Sequence, residues 1–389
     1  MKRDKNTIFL RGSVAIAIGL LTGAISPAMA QTKPAAPTPD VVVLTNGDQL
    51  TGTLERSVGD SITFKSDAVG EVTIPMSKVK ELRSSSNFVV LKKDEKVTKQ
   101  PKTPGGIEIE NNAVKEAGST GETIPSAKIG YVVDGATYNK ELNGHPGPFS
   151  GWDGSINGGA TVLQSTSYGQ TFTLGVSLIR AIPSVAYLPL RTRTTFNVLE
   201  TYGKLTQPTI PQTNPPTPAA VAKTSIFHTD FEHDKYLTSR FYVLGGLSYD
   251  HNYSQGMNWQ QIYGGGAGYT ILLDNVQQLD AKADLHYEKQ SYIQTVVTTP
   301  NNNLIGSTFA ENYRRTLPGK IQLTQSGTYI QSWNNTDAWS AIGALGLALP
   351  VYHRFALSVN LLDNYLNNPA TGFNKNSLQF VTGVTYTLH

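Results

Sequence analysis

Charged side chains stand at every second position of one segment in the second half of the chain. Asp280, Lys282, Asp284, His286 and Glu288 alternate with small or apolar residues, and a period of two puts them on one face of a β-strand. Further charges on neighbouring segments are expected on the same face. The complete candidate set is Arg193, Asp230, Glu232, Asp280, Lys282, Asp284, His286, Glu288 and Arg314.

A face that carries both signs of charge can serve two purposes. If water fills the space in front of it, the charges line a path for solutes. If the charges pair with one another, they form a plug of salt bridges. Unpaired charge away from water is costly, so water or partners must be present. The sequence leaves both the path and the plug open.

Catalytic motifs are missing from the sequence. None of the seven His stands in an H-E-x-x-H pattern, and there is no G-x-S-x-G elbow. The absence of Cys excludes a thiolate metal site and a Cys nucleophile. The glycine run 264–268 lacks the Lys of a phosphate loop and lies in a strand pattern, where it permits a close approach by an interior segment. We predict no cofactor and no metal, but a Ser and His pair on neighbouring strands stays open.

Long alternating strands must position the charged face. From residue 152 onward, period-two alternation recurs in about twelve segments, and many are longer than soluble strands and match membrane-spanning ones. They lie near 152–163, 169–181, 191–202, 222–234, 239–251, 259–272, 276–289, 305–316, 319–330, 337–349, 353–364 and 375–388. The sequence predicts an all-β chain whose residues 151–389 form an antiparallel outer-membrane β-barrel of about twelve strands, with ten as the alternative count.

The two faces of these strands differ in polarity. We expect Phe172, Leu174, Leu285 and Phe355 to face lipid, and Thr173 to face the interior. Long and short connections alternate after the first one, and aromatic residues fall near strand ends, as in outer-membrane barrels. The alternative is a soluble secreted β-sandwich or β-barrel, whose strands also alternate.

The first thirty residues indicate export. Met1 to Arg11 is basic, an apolar run follows from Val14 to Ile25, and Ala28-Met29-Ala30 fits a cleavage site. We therefore predict a signal peptide over 1–30 and a flexible leader over 31–39. The signal peptide holds four of the 32 basic residues and one of the 29 acidic residues, so the mature chain has 28 of each. A basic face for nucleic acid is therefore disfavoured.

Short β-type segments between the leader and the barrel repeat. Phe88-Val89-Val90-Leu91 matches Val41-Val42-Val43-Leu44 at an offset of 47 residues. We predict two small SH3-like or Sm-like β modules, over 40–84 and 86–135, and a linker over 136–150. The modules serve either as a spacer or as a docking part.

At this point the sequence resembles a known family, the salt-induced outer-membrane proteins classed as domain of unknown function 481. The resemblance covers nearly the whole mature chain and implies a barrel behind a periplasmic N-terminal module, with no catalytic residue to carry over. It rests on Asp40 to Gly52, Gly70 to Ile74, Lys78-Val79, Phe149 to Gly154, Phe241 to Tyr249, Gly264 to Tyr269 and Gly383 to Tyr386. The end, Leu388-His389, departs from the terminal Phe of many such barrels.

Three functions are compatible with these patterns. The favoured one is a non-enzymatic outer-membrane barrel of the bacterial envelope, either structural or a narrow solute channel. The alternatives are an outer-membrane hydrolase acting on lipid or glycan, and surface binding or adhesion through outer loops such as 205–220. The expected partners are outer-membrane lipid, the barrel-assembly machinery during insertion, and the cell wall or another envelope protein through residues 40–135.

Overall fold

The computed structural model describes residues 39–93, 102–116, 123–144, 147–164, 168–207, 218–274, 276–293 and 302–388. The predicted signal peptide, most of the leader and the Pro-rich part of the loop at 205–220 lie outside these residues. The described chain holds an N-terminal sheet and a C-terminal barrel. Its helices are short, and none within the described ranges is long and apolar enough to cross a membrane.

Nine strands form the N-terminal sheet, where runs of β-branched residues alternate with turn sequences. They are β1 (Asp40–Leu44), β2 (Gln49–Val58), β3 (Ser61–Ser66), β4 (Gly70–Pro75), β5 (Val79–Lys92), β6 (Gly105–Glu110), β7 (Ala113–Glu116), β8 (Thr123–Pro125) and β9 (Ile129–Asp134). The order is β4-β3-β2-β1-β5-β6-β7-β8. Strand β9 pairs with both β2 and β5, so it closes a small barrel-like circuit through β1.

The predicted repeat is present as two matching corners, because Pro75 and Pro125 each lead into a one-turn helix. The copies are not separate modules over 40–84 and 86–135, however. Strand β5 runs through that boundary and pairs with β1, β6 and β9. Strands as short as β7 and β8 cannot enclose a core alone, and apolar side chains from both copies share one core, including Val42, Phe64, Leu82, Ile109, Val114, Ile124 and Ile129.

Twelve strands form the C-terminal barrel. They are β10 (Asp153–Gln164), β11 (Tyr168–Ile182), β12 (Thr192–Gln207), β13 (Ala220–Tyr236), β14 (Phe241–Asn252), β15 (Met257–Leu273), β16 (Gln277–Tyr292), β17 (Asn302–Leu317), β18 (Ile321–Ser332), β19 (Trp339–Tyr352), β20 (Phe355–Leu366) and β21 (Asn376–Leu388). Neighbours pair antiparallel, and β21 returns to pair with β10. The predicted all-β fold and the count of twelve are confirmed.

The two faces of the barrel strands follow the predicted alternation. Phe172 and Leu285 on the outer face are 48% and 61% exposed, whereas Thr173 on the inner face is 8% exposed. Residues directly opposite one another on paired strands share a face, so the register assigns every barrel residue to the outside or the inside. The outer face is mainly apolar, and the inner face carries the polar side chains.

The two ends of the barrel differ in their connections. At the near end, where β10 begins and β21 finishes, most connections are tight, as between β13 and β14, β17 and β18, and β19 and β20. At the far end the connections after β12, β16 and β20 are long. The near end has one longer loop, residues 183–191 between β11 and β12, and this loop contacts the N-terminal part of the chain.

The segment predicted as a linker, 136–150, begins with helical structure that makes this contact. A helical turn at Gly135–Thr137 continues as Tyr138–Asn143, and Asp134 caps it by accepting a hydrogen bond from the Thr137 N–H. Tyr138 packs with Leu188 of the near-end loop in a small apolar core. The first half of the predicted linker is therefore a packed element.

A buried carboxylate joins the same two parts. The Glu141 carboxylate accepts hydrogen bonds from the Ser184 N–H at 2.7 Å and from the Ser184 hydroxyl at 2.8 Å. The Arg191 guanidinium donates to the Leu142 carbonyl at 2.9 Å. Burial raises the pKa of Glu141, but the hydrogen bonds from Ser184 outweigh that effect, so the pKa lies below its ordinary value.

Adjacent residues of β11 test the assignment of the two faces. Leu174→Arg puts a cation against hydrocarbon and should lower the free energy of unfolding by about 2–4 kcal/mol. Thr173→Arg points into the polar interior, where water can solvate the cation, and should cost clearly less. Urea unfolding in detergent or lipid, followed by gel mobility, measures both variants. Equal losses would show that the faces are misassigned.

The Glu141 contact predicts a pH dependence. Because its pKa is lowered in the folded protein, the stabilisation is present at neutral pH and is lost as the pH falls below the ordinary glutamate range. Glu141→Gln should therefore destabilise the packing of the module on the loop by about 1–3 kcal/mol at neutral pH, and by much less in acid. Proteolysis of the near-end loop measures this. Lys140→Ala is the control, since its ion pair with Glu141 involves a Lys side chain that is 79% exposed.

Candidate functional site

All nine predicted residues lie on the inner face of the barrel, on four of its strands. Arg193 comes from β12, Asp230 and Glu232 from β13, and Arg314 from β17. The remaining five follow one another along β16. The register sets Arg193 opposite Asp234 and Arg314 opposite Gln278. The structure therefore brings the charges onto one continuous part of the wall, from β12 to β17.

Arg193 is the centre of the cluster at the near end. Its guanidinium donates to Asp234 at 2.7 Å and to Asp280 at 3.3 Å. The side chains of Arg193 and Asp234 are 11% and 1% exposed, so the cation and its partner are withdrawn from water together. The Thr270 hydroxyl donates to Asp280 at 2.6 Å. An ion pair this deep must be satisfied on both sides, and Arg193 achieves this by joining β13 and β16.

Two tyrosine rings support the guanidinium. It lies 5.1 Å from the ring centre of Tyr242 and 5.8 Å from that of Tyr236, within the range of cation–π attraction. The Tyr242 ring rests on Gly268 of β15, where an added Cβ would lie 2.2 Å from the ring. An interior side chain therefore lies close to the backbone of the glycine run, as the sequence pattern allowed.

One ion pair and one group of three side chains occupy the middle of the wall. Lys282 and Glu232 form a salt bridge of 2.6 Å. The His228 imidazole lies between two carboxylates, with Nδ1 at 2.5 Å from Asp250 and Nε2 at 2.9 Å from Asp230. Both histidine nitrogens therefore have acidic partners.

A further cluster surrounds His286 towards the far end of the barrel. Its Nδ1 lies 2.9 Å from Asp284 and its Nε2 lies 3.8 Å from Glu288. The side-chain amides of Gln260 and Gln290 donate to the Glu288 carboxylate. Among the residues that the structure describes, no group of His, Asp and Glu is arranged to hold a metal ion.

Carboxylates outnumber cations along this wall. On the inner faces of β12 to β17, the described residues include seven carboxylates, three permanent cations and two histidines. They are Asp230, Glu232, Asp234, Asp250, Asp280, Asp284 and Glu288; Arg193, Lys282 and Arg314; and His228 and His286. The wall therefore attracts cations even after its internal pairing.

A polar space lies beside the charged wall. A cavity of about 250 Å³ lies there, bounded by strands β10 to β13 and by β21. Threonine hydroxyls and glycines line it, among them Thr161, Thr171, Thr173, Thr201, Gly203 and Thr224. Hydroxyl groups can replace some of the water around a small ion or polar solute. The interior thus combines a charged wall with a polar space beside it.

The sequence analysis missed three interior groups that complete the pairs. Asp234 and His228 continue the alternation of Asp230 and Glu232, so the period of two could have identified both. Asp250 has no such signal, because the inner face of β14 begins with Tyr242 and other non-charged residues. Its role follows from its register opposite His228.

Gly268 tests whether the tyrosine support matters. Gly268→Ala must displace the Tyr242 ring and with it the contact to Arg193, so the free energy of unfolding should fall by about 1–3 kcal/mol. Gly245→Ala on β14 is the control, since an added Cβ there meets nothing within 4 Å. Urea titration of both variants gives the comparison, and equal stability would contradict the support by Tyr242.

Comparison with solved structures identifies other barrels. The translocator domain of the autotransporter NalP from Neisseria meningitidis is 11% identical, with a TM-score of 0.33, and the match covers 60% of this chain and 87% of that one. The NanC porin is 9% identical, with a TM-score of 0.35, over 60% and 100%. The channel DcaP of Acinetobacter baumannii is 11% identical, with a TM-score of 0.26, over 90% and 94%. Similarities this distant carry no argument about function.

Comparison of sequences gives the family. No curated protein matches the chain. The profile of a family described as proteins of unknown function, DUF481, matches residues 191–388. The matched region runs from the near-end loop through the last strand and includes every charged residue of the inner wall. It spans half of the sequence, and the chain therefore belongs to the DUF481 family.

Proposed function

We propose that the protein is an outer-membrane barrel whose interior forms a narrow path for small cations, with the N-terminal module in the periplasm. The observation that carries the proposal is the inner wall, where an excess of carboxylates faces a hydroxyl-lined cavity. This role uses electrostatics and space alone, so it requires no catalytic residue.

The outer face supports a place in a bilayer. Phe355 and Tyr386 pack at the near end, with ring centres 5.0 Å apart, and Trp339 stacks on Tyr365 at the far end. On β20, ten residues separate Phe355 from Tyr365, or about 33 Å along the strand. With a tilt of about 40°, the two aromatic levels lie about 25 Å apart, which equals the height of the apolar band of outer-membrane barrels.

The connections support the orientation. Short turns face the periplasm in outer-membrane barrels and longer loops face outward, and here the near end has the tighter turns. The module contacts the near-end loop through Glu141 and Leu188, which agrees with a periplasmic position. Its other surfaces would then be available to the cell wall or to another envelope protein.

A closed structural barrel is the second candidate. The Arg193 cluster favours it, because Arg193, Asp234 and Asp280 are buried and paired across β12, β13 and β16. Such pairs fill the space that a path would need on that side. In this case the barrel would be stabilised by the network and the solute would have no route past it.

One variant distinguishes the path from the plug. Asp280→Asn, Asp284→Asn and Glu288→Gln together remove three negative charges from β16. If the interior conducts, the preference for K⁺ over Cl⁻ in a planar bilayer should fall, because the wall loses its excess of carboxylates. If the interior is closed, wild type should not conduct and the variant should unfold at lower temperature, because Arg193 loses one of its two partners.

Asp337→Asn serves as the control, since it removes a charge from an exposed far-end connection. It should change neither ion preference nor melting temperature. A β16 variant that also leaves both quantities unaltered would contradict both candidates, because it would show that this wall has no role in conduction or stability.

A further inference from the structure

A serine, a histidine and a glutamate meet on the outer face of the barrel, away from the interior wall. Ser225 lies on β13, His251 on β14 and Glu200 on β12. His251 is opposite Phe227, and the same face continues through the pair Phe231 and Leu247, both well exposed. The cluster is therefore on the apolar outer face, at the far end of β14.

The contact geometry is that of a nucleophile and its base. The Ser225 Oγ lies 2.9 Å from the His251 Nε2 and 3.3 Å from the Glu200 Oε1, so its one hydroxyl proton can be donated to the imidazole or to the carboxylate. A serine becomes a nucleophile when a base within about 2.6–3.2 Å can take its proton. Aromatic packing holds the imidazole in place, because it stacks on Tyr253 at 4.8 Å and lies 5.8 Å from the Phe227 ring.

A groove lies beside this cluster on the same outer face. It has a volume of about 400 Å³, and it is lined by Gly158, Ala160, Phe172, Leu174, Glu200 and Tyr202. The floor is open because Gly158 has no side chain, and an added Cβ there meets nothing within 4 Å. Since Glu200 both lines the groove and accepts the hydrogen bond from Ser225, the groove leads to the serine.

The level of the cluster fits the ester group of a lipid. Tyr202 and Tyr253 flank it and are 40% and 42% exposed, and exposed tyrosines mark the boundary between hydrocarbon and headgroups. The ester carbonyls of a membrane lipid lie at this boundary, and its acyl chains extend into the hydrocarbon. An acyl chain in the groove would bring an ester carbon close to Ser225.

We propose that Ser225 and His251 hydrolyse an acyl ester of membrane phospholipid, with the acyl chain in the groove. The proposal goes beyond the function of the interior, since it uses only the outer face. Glu200 is a positioning residue whose negative charge favours the imidazolium that forms during the reaction.

The reaction balances with water as the second substrate. Ser225 Oγ attacks the ester carbon and its proton passes to His251 Nε2; the bond from carbon to the alcohol oxygen then breaks, and His251 protonates the leaving alcohol. Water attacks the acyl-serine, gives a proton to His251, and releases the fatty acid as the proton returns to Ser225. No oxidation or reduction occurs.

The test uses the purified full-length protein in mixed micelles of phosphatidylethanolamine, with release of fatty acid as the measurement. Wild type should release fatty acid, and Ser225→Ala and His251→Asn should each lose about 100-fold or more of that rate. Ser307→Ala is the matched control, because Ser307 is opposite Leu285 on the same outer face and should retain full activity. Glu200→Gln should lower kcat and leave KM unchanged.

The groove has its own variant. Gly158→Leu fills the space without touching the serine, so it should raise KM for phospholipid with long acyl chains and leave short-chain phospholipid unaffected. An equal loss on both substrates, or no loss on either, would overturn the assignment of the groove.

Covalent labelling gives a second readout that does not depend on turnover. A fluorophosphonate probe should modify wild type at Ser225, as located by mass spectrometry, and should leave Ser225→Ala unmodified. Heat modifiability on gels confirms that each variant is folded. Wild type that neither releases fatty acid nor takes the probe, or Ser225→Ala that is as active as wild type, would overturn the proposal.

Discussion

The structure depends on one requirement, that every backbone N–H and C=O in the barrel finds a partner within the protein. Hydrocarbon offers no hydrogen bonds to replace a missing one, and β21 pairs with β10 from Gly154 and Leu388 to Gly158 and Val384, which closes the ring of strands. Closure also fixes the side chains. Successive side chains of a strand point to opposite faces of the sheet, so in each of the twelve strands they point alternately to the inside and the outside of the barrel.

The closed wall brings charged side chains together inside, where several of them pair. Arg193 meets Asp234 and Asp280, and Lys282 meets Glu232, so most of the cost of removing these groups from water is offset by pairing. The clusters fill one side of the interior, and threonines with short side chains leave space on the other. The asymmetry permits a stable salt-bridged wall and an adjacent polar cavity in one barrel of twelve strands.

Local alternation explains why so much of the barrel could be predicted. The number of strands, their bounds within a few residues and the facing of Phe172 and Thr173 depend only on the period of two and on turn residues. Pairing depends on register, which alternation does not contain. The contacts of Asp250 with His228 and of Ser225 with His251 therefore appear only in three dimensions.

The organisation of the N-terminal sheet also depends on contacts that the sequence pattern does not contain. The match between residues 41–44 and residues 88–91 predicted a repeat, yet similarity between two segments does not reveal whether they have separate cores. Because both copies pair with strand β5, their short strands contribute to one shared core. The first half of the predicted linker was not recognisable as a packed element, because burial of Tyr138 and Glu141 depends on the loop that they contact.

Glu311 and Glu200 are carboxylates on the outer face that depart from the alternation, and they have different surroundings. Glu311 receives a hydrogen bond from the Gln325 amide and lies beside Gly327, where a side chain would collide with it. Such a carboxylate is satisfied within the wall itself. Glu200 is held differently, because its partner is the hydroxyl of Ser225 at the level of Tyr202. A charge costs least at the boundary between hydrocarbon and headgroups, and at this level Glu200 lies beside a serine and lines an open groove.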